Sequence, residues 1–192
     1  MKLKALLVAL ACIAPVHAAE PAPPLPALER ILSMDPPRAI APFTLTDHLG
    51  KPRDWISFAG TPTLVFFGFT HCPDICPITL QRLAQQSATL GDIRVVMISV
   101  DGERDTPAVL SDYLGQFSKR FVGLTGPAAE VREIALRFAA PFYKDPVKNG
   151  AYLVQHSSRL YAVDRHGRLR AELYDAPPEA TAALARALLE ER

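Results

Sequence analysis

The apolar residues of this chain fall into short continuous runs and helix-spaced stripes that alternate over residues 42–192. The continuous runs have strand length and are flanked by turn residues, which is typical of strands buried on both faces of a sheet. The predicted strands cover residues 64–69, 93–100, 121–124, 160–164 and 169–174. An alternating segment at 41–45, a turn at 47–50 and a return arm containing Trp55 predict an N-terminal hairpin.

The helix-spaced stripes are accompanied by start and stop signals. Thr106 and Pro107 provide a capping side chain and a proline in the first turn, and Gly91 follows another stripe as a helix stop. The predicted helices cover residues 77–90, 106–118, 127–138 and 178–190. This order of elements predicts an α/β protein of thioredoxin-like fold, with a mixed central sheet, helices on both faces and an N-terminal hairpin extension.

Residues 1–18 have the features of a secretory signal peptide. Lys2 and Lys4 precede an apolar stretch at 5–14, and the segment ends in the small residue Ala18. The stretch has about ten residues, whereas a bilayer-spanning helix needs about 20. We therefore expect cleavage after Ala18 and export to the periplasm, in preference to a membrane-anchored form. Cys12 would leave with the signal peptide.

Residues 19–41 are predicted to be a proline-rich tether, because seven prolines occur in the 22 residues from 21 to 42. Such a density favours polyproline geometry and removes backbone donors. One helical turn within 28–34 is compatible with this role, and Met34 has no evident partner there. The folded domain is accordingly predicted to occupy residues 42–192.

Composition and charge exclude several classes of function. Hydrophobic residues make up 49% and charged residues 21% of the chain, as in an ordinary globular domain. Loss of Lys2 and Lys4 would change the formal net charge from +1 to −1. No basic run or basic-aromatic stripe is present, so we expect no nucleic acid partner. We also expect a monomer without a small organic substrate.

Export would leave Cys72 and Cys76 as the remaining cysteines. They lie between a predicted strand and a predicted helix N-terminus, where backbone donors and the helix dipole favour thiolate. A four-residue helical offset separates two Cα atoms by about 6 Å, so the pair can form a disulfide. Two neighbouring thiolates also suit Cu(I). The same loop therefore supports redox chemistry and copper binding.

A histidine would distinguish a copper site from a plain dithiol. His48 and His166 lie in predicted turns, where histidines are usually solvated, and His71 is expected to point away from its neighbour Cys72. His156 lies on a connection that can fold back over the cysteine loop. Spacing alone does not decide whether it is a ligand. Met97 alternates within a buried strand and is expected in the core.

Three blocks of the chain resemble the Sco/SenC family of copper proteins. Phe67-Gly-Phe-Thr-His-Cys-Pro-Asp-Ile-Cys-Pro77 closely resembles the family signature, and Ser99-Val-Asp-Gly-Glu-Arg-Asp-Thr-Pro107 resembles its Ser-Val-Asp-Pro-x-Arg-Asp-Thr-Pro element. His156-Ser-Ser-Arg-Leu-Tyr161 resembles its distal histidine block. The likeness extends over about residues 38–190.

The resemblance implies a thioredoxin fold in which Cys72, Cys76 and His156 bind one copper ion, as Cu(I) and also as Cu(II). It implies a role in assembling the copper A centre of cytochrome c oxidase. The expected partners are a copper-donor protein and the copper-binding subunit of the oxidase.

This chain departs from the family pattern at three positions. Gln155 replaces the usual Asp before the histidine, Gly102 replaces a proline, and Arg165 replaces the proline after Asp164. Loss of a carboxylate beside His156 would remove an acceptor that orients the imidazole ring, which weakens Cu(II) binding more than Cu(I) binding.

Two acidic positions near the cysteines are open to more than one interpretation. Asp74 is a helix-entry carboxylate favoured by the dipole, a group that resists thiolate formation, or a group that faces a partner. For Asp101 and Arg104, pairing with each other within the fold is favoured over a role in docking a partner.

A thiol-disulfide oxidoreductase is the main alternative function. In it, Cys72 would attack a partner disulfide and Cys76 would resolve the mixed disulfide, without any need for His156. A peroxidase is a weaker alternative, based on the likeness of Phe69-Thr-His-Cys72 to a thiol-peroxidase loop. A structural zinc site needs four protein ligands, and the sequence offers three.

Overall fold

A mixed β-sheet forms the centre of the molecule in a computed structural model that describes residues 30–148 and 151–191. Eight strands make up this sheet: β1 (Ile31–Ala39), β2 (Thr44–Asp47), β3 (Pro52–Asp54), β4 (Thr63–Gly68), β5 (Arg94–Ser99), β6 (Val122–Thr125), β9 (Leu160–Val163) and β10 (Arg168–Leu173). A separate two-stranded hairpin pairs β7 (Tyr143–Lys144) with β8 (Val154–Gln155).

The strand order of the large sheet is β1-β10-β9-β4-β5-β6-β2-β3. β4, β5 and β6 are parallel to one another, whereas β9 lies antiparallel to β4, and β2 antiparallel to β6. The central strand β4 is buried along its whole length, as its continuous apolar run predicts. The carboxyl ends of the parallel strands share one edge, and the cysteine loop follows β4 at that edge.

Helices cover both faces of the sheet. They are α1 (Ile75–Gln85), α2 (Ser87–Leu90), α3 (Pro107–Gly115), α4 (Ala128–Arg137) and α5 (Pro178–Glu190). One face packs Phe67 of β4 against Phe138 at the end of α4, with ring centroids 5.4 Å apart. The opposite face packs Phe66 against a cluster that includes Leu80 of α1 and Leu184 of α5. Two separate apolar layers therefore hold the sheet in place.

The segment predicted as a tether contributes a strand to the sheet, which corrects that assignment. β1 pairs antiparallel with β10 at the sheet edge, so the described fold begins near residue 31 and not at residue 42. The pairing register shifts between Ser33 and Arg38, and Pro36 and Pro37 lie in this interruption, where no ladder donor is required. Met34 packs against the core and is not without a partner.

Several other boundaries differ from the predictions. The predicted helix at 77–90 is two helices, and the first begins at Ile75, so Cys76 lies inside its first turn. The helical turn expected at 28–34 is absent from residues 31–34, which belong to β1, and the hairpin β7–β8 was not predicted. The N-terminal hairpin is confirmed as β2–β3, although Trp55 begins a short 3-10 turn after it.

The predicted signal peptide, its cleavage after Ala18 and the start of the tether lie outside the described residues. Within the part of the chain that the structure describes, no helix combines the length and apolar character needed to cross a membrane.

Candidate metal centre

Cys72 and Cys76 lie at the carboxyl edge of β4, on a loop that turns directly into α1. The Cys72 amide donates to the Phe69 carbonyl at 3.2 Å, which closes the first turn of the loop. Cys76 is almost completely buried, at 1% exposure, whereas Cys72 is partly exposed, and the two thiols are not joined in a disulfide. One thiol therefore faces the protein interior and the other is accessible from solvent.

A buried carboxylate supports the loop from below. Asp105, which has no exposed surface, accepts hydrogen bonds from the Thr70 amide at 3.0 Å and from the Thr70 hydroxyl at 2.6 Å. The Ser99 hydroxyl at the end of β5 donates to the same carboxylate at 2.6 Å. A buried carboxylate is costly unless its oxygens are hydrogen-bonded, so these three contacts explain its presence. Asp105 ties the cysteine loop to the neighbouring strand.

Gly68, the last residue of β4, allows Cys76 to approach the sheet. A Cβ atom at position 68 would lie 2.8 Å from the Cys76 Sγ and 3.0 Å from the Phe66 ring. The first distance is shorter than normal contacts permit, so a side chain here would displace the thiol. This role was not predicted, although the single glycine within an apolar strand is a signal of such a close approach.

His156 reaches the thiols from the segment that follows β8. Its Nδ1 lies 2.9 Å from the Ser157 carbonyl oxygen, and its Nε2 lies 3.6 Å from the Cys76 Sγ. Because a carbonyl oxygen can only accept, Nδ1 donates in this contact, and Nε2 is the ring nitrogen that faces the thiols. The imidazole also packs edge-to-face on Phe69, with centroids 5.7 Å apart.

The structure thus brings together the three residues singled out from the sequence. The ligand atoms of Cys72, Cys76 and His156 all lie within 4.8 Å of one another, and this trio is the single group of three or more potential ligands found among residues 30–148 and 151–191. Two donors bound to one ion through bonds of about 2.1–2.3 Å lie no more than about 4.6 Å apart. Small side-chain adjustments would suffice for all three to share an ion.

The two thiols have opposite electrostatic environments. A hydrogen bond from the Cys76 thiol, aided by the Asp74 and Cys76 amides and by His156, lowers the pKa of Cys72 to about 4 against the opposing effect of burial. The bond to Cys72, together with burial, raises the pKa of Cys76. The metal-free, reduced site therefore holds one thiolate at Cys72 and one thiol at Cys76 at neutral pH.

The three other histidines among the described residues do not belong to this group. His71 is exposed, its Nδ1 contacts the Thr70 hydroxyl at 3.0 Å, and it does not belong to the ligand group. His166 is exposed in the β9–β10 turn. His48 is only partly exposed, because its Nδ1 accepts from the Gly123 amide at 3.2 Å. Met97 is fully buried in the core, as predicted.

Gln155 makes no hydrogen bond to His156 and instead donates to Asp145 at 2.9 Å. The Ser157 carbonyl supplies the acceptor that was expected to be lost when the family's carboxylate is replaced. Asp74 is the exposed N-cap of α1 without a side-chain capping bond. Asp101 and Arg104 form the expected pair, through Arg104 Nε and an Asp101 oxygen.

A sheet covered on both faces, with a two-cysteine loop leading from a buried strand into a helix and a histidine packed against it, defines a thioredoxin-like protein with a dithiol-histidine centre. The profile of the SCO1/SenC family matches residues 33–190. This chain belongs to that family.

Curated relatives include the mitochondrial SCO2 protein of Saccharomyces cerevisiae, 40% identical over 134 residues that cover 66% of this chain and 44% of that protein. The mitochondrial SCO1 homolog of Homo sapiens is 34% identical over 146 residues, which cover 72% of this chain and 48% of that protein. The chain thus spans about half the length of these relatives.

Solved structures confirm the thioredoxin-like fold class. The copper-bound ScoI of Bradyrhizobium japonicum is 38% identical, with a TM-score of 0.71, covering 78% of this chain and 99% of that one. The copper-bound ScoI of Arabidopsis thaliana is 31% identical, with a TM-score of 0.73, covering 79% of this chain and 99% of that one.

Proposed function

We propose that this protein is a periplasmic copper metallochaperone that binds one copper ion through Cys72, Cys76 and His156. The observation that carries the proposal is the convergence of two Sγ atoms and one imidazole Nε2 within 4.8 Å. Thiolate sulfur is a soft donor and imidazole suits copper in both oxidation states, so this set accepts Cu(I) readily and also supports Cu(II). The copper-bound ScoI structures of Bradyrhizobium and Arabidopsis support the same choice of metal.

The different exposure of the two thiols fits a carrier that releases its cargo. Cys76 is buried and would hold the ion on its inner side. Cys72 and His156 are partly exposed and are therefore accessible to an acceptor. An incoming ligand can replace Cys72 first, because that sulfur is accessible and is already a good leaving thiolate. Copper then passes by stepwise ligand exchange without being released into solution.

Binding is tested by titrating the reduced chain with Cu(I) in competition with a chromophoric chelator. One equivalent should bind tightly, and the same titration of a Cys72→Ser/Cys76→Ser double variant should show no competition. Failure of the parent chain to withdraw copper from the chelator would refute the metallochaperone.

The acceptor that we propose is the copper-binding subunit of cytochrome c oxidase, with a separate copper-donor protein upstream. The sequence resemblance to Sco/SenC proteins and the membership of this family support that direction. Incubating the copper-loaded chain with the metal-free soluble domain of that subunit should generate the absorption spectrum of the copper A centre. Export to the periplasm is tested by finding the chain, shortened at Ala18, in a periplasmic extract.

Thiol-disulfide exchange is a second candidate function, favoured by the lowered pKa of Cys72 and the burial of Cys76. In this reaction the Cys72 thiolate attacks a partner disulfide, and Cys76 then resolves the mixed disulfide. The partner gains two electrons and leaves as a dithiol, while Cys72 and Cys76 become a disulfide. The His156→Ala variant separates the two functions, because exchange does not require the imidazole whereas copper binding does.

A further inference from the structure

A cluster of side chains joins the loop after β5 to the segment that carries His156. The Tyr152 hydroxyl donates to Asp101 Oδ1 at 2.7 Å. Arg104 Nε donates to the other Asp101 oxygen, and Arg104 Nη1 donates to the Tyr152 carbonyl at 3.2 Å. Asp101 is nearly fully buried, so it is an anchored acceptor for both partners. We call Asp101, Arg104 and Tyr152 the tyrosine clasp.

The ring of Tyr152 is also held by two cations. The Arg104 guanidinium carbon lies 3.7 Å and the Lys144 Nζ 3.8 Å from the ring centroid. Lys144 is itself paired with Glu103 at 2.7 Å. A ring contacted by cations while its hydroxyl is bound to a buried carboxylate has little freedom to turn. Tyr152 is therefore fixed from its ring, its hydroxyl and its backbone.

The Arg104 guanidinium contacts two aromatic rings, one beside the cysteine loop and one on the segment that carries His156. Besides Tyr152, its guanidinium faces Phe69, whose centroid is 5.8 Å away, and Phe69 packs edge-to-face on the His156 imidazole. The Phe69 carbonyl also accepts a hydrogen bond from the Cys72 amide. Arg104 thus lies between Phe69, which supports the cysteine loop, and Tyr152, which lies four positions before His156.

The segment before His156 has little regular structure of its own to hold it. β7 and β8 pair over two residues each, and such a short isolated hairpin is not stable alone. Val154 is its buried strand residue, whereas Leu153 and Gln155 on either side are exposed. The tyrosine clasp adds side-chain hydrogen bonds between this segment and the loop that follows β5.

We propose that Asp101 and Arg104 are positioning residues for the metal centre, which hold Tyr152 and thereby set His156 Nε2 against the two thiols. This inference rests on the proposed copper function, and it assigns to the pair a role beyond stabilising the loop on which it lies. Side chains that orient a metal ligand change metal affinity about 10–100-fold when they are removed.

A matched control exists at the first residue of β5, the strand that precedes the loop carrying Arg104. Arg94 faces the Phe58 ring with its guanidinium 5.2 Å from the centroid, and its Nη1 donates to the Phe58 carbonyl at 3.0 Å. This repeats the contact of Arg104 with Tyr152, but far from the thiols. Arg104→Gln should weaken Cu(I) binding about tenfold and reduce the nitrogen coupling in the Cu(II) electron paramagnetic resonance spectrum. Arg94→Gln should change neither.

Hydrogen exchange of the reduced, metal-free chain gives a readout that does not involve copper. Amides of residues 152–157 should exchange faster in Arg104→Gln than in the parent, and at the parent rate in Arg94→Gln. Tyr152→Phe, which keeps the ring and loses the bond to Asp101, should give a smaller change in the same direction. If Arg104→Gln does not fold, Tyr152→Phe and Tyr152→Leu decide the question by the same measurements.

The outcomes separate this inference from the proposed function. Parent-like affinity, spectrum and exchange in Arg104→Gln would overturn the positioning role while leaving copper binding intact. A parent chain that binds no copper would overturn the proposed function, and faster exchange confined to the Arg104 variant would still support the clasp.

Discussion

The two halves of the metal centre are built by different means. Cys72 and Cys76 are four residues apart on one continuous strand-loop-helix unit, and a buried carboxylate ties their loop to the next strand. His156 arrives 80 residues after Cys76, on a segment held by side-chain contacts. The capacity for thiol chemistry is therefore local, whereas the capacity to bind copper with a nitrogen ligand depends on tertiary packing.

Replacing Cys76 with Ser should have the largest effect, because it removes the buried ligand and the resolving thiol together. A hydroxyl is a poor ligand for Cu(I), so affinity should fall by more than about 100-fold. Chelator competition measures the loss, and a circular dichroism melt checks that the variant is folded. Tight Cu(I) binding by a folded Cys76→Ser chain would show that the site lies elsewhere.

The His156→Ala substitution should separate copper binding from thiol chemistry. Cu(I) affinity should fall about 100-fold, while the rate at which the reduced chain reduces a model disulfide should stay within about twofold of the parent. His166→Ala, at an exposed turn, is the control and should change neither quantity. Equal losses of copper binding and disulfide reduction in His156→Ala would contradict the division.

Gly68→Ala tests the thiol half through packing alone. The added methyl group would lie 2.8 Å from the Cys76 Sγ, so it should destabilise the fold by about 1–3 kcal/mol and weaken Cu(I) binding. Urea unfolding measures the first effect and chelator competition the second.

Gly115→Ala is the matched control, since a Cβ there meets no atom within 4 Å. It should be neutral or stabilising by up to about 1 kcal/mol. If the two alanine variants behave alike, close approach of Cys76 to β4 is not important.

The smallest expected effect is the change of the Cys72 alkylation rate with pH, over a pH range in which the rate for ordinary thiols changes greatly. With a pKa of about 4, Cys72 is almost entirely thiolate above about pH 5, so its rate should vary less than about twofold between pH 6 and 8. The rate should fall as pH decreases through 4. Between pH 6 and 8, an ordinary thiol with a pKa near 8.5 becomes about 75-fold more reactive.

Iodoacetamide labelling followed by mass spectrometry of the reduced, metal-free chain measures this rate for each cysteine. Cys76 should remain unlabelled in the folded chain because it is buried. The chain unfolded in urea is the control, in which both thiols should regain the ordinary pH dependence. A rise of more than tenfold for folded Cys72 from pH 6 to 8 would refute the lowered pKa.

Most of the central sheet and its helices could be predicted because their apolar patterns reflect burial on one or both faces. β4, β5 and α5 match their predicted ranges to within one residue at each end. β1 could not be predicted, since its prolines resemble a tether and its partner β10 lies more than a hundred residues further along the chain. The short β7–β8 hairpin carries too few residues for a periodic signal.

The sequence by itself determined the dithiol loop, because a strand, a four-residue spacing and a helix start lie within one short segment. It identified His156 only through family resemblance, since spacing placed no constraint on a residue so distant from the loop. Tertiary structure decided which thiol is buried, how close His156 lies to it and which ring nitrogen faces it. Those properties arise from contacts with Gly68, Ser157 and the tyrosine clasp, and contacts between distant segments exist only in the folded chain.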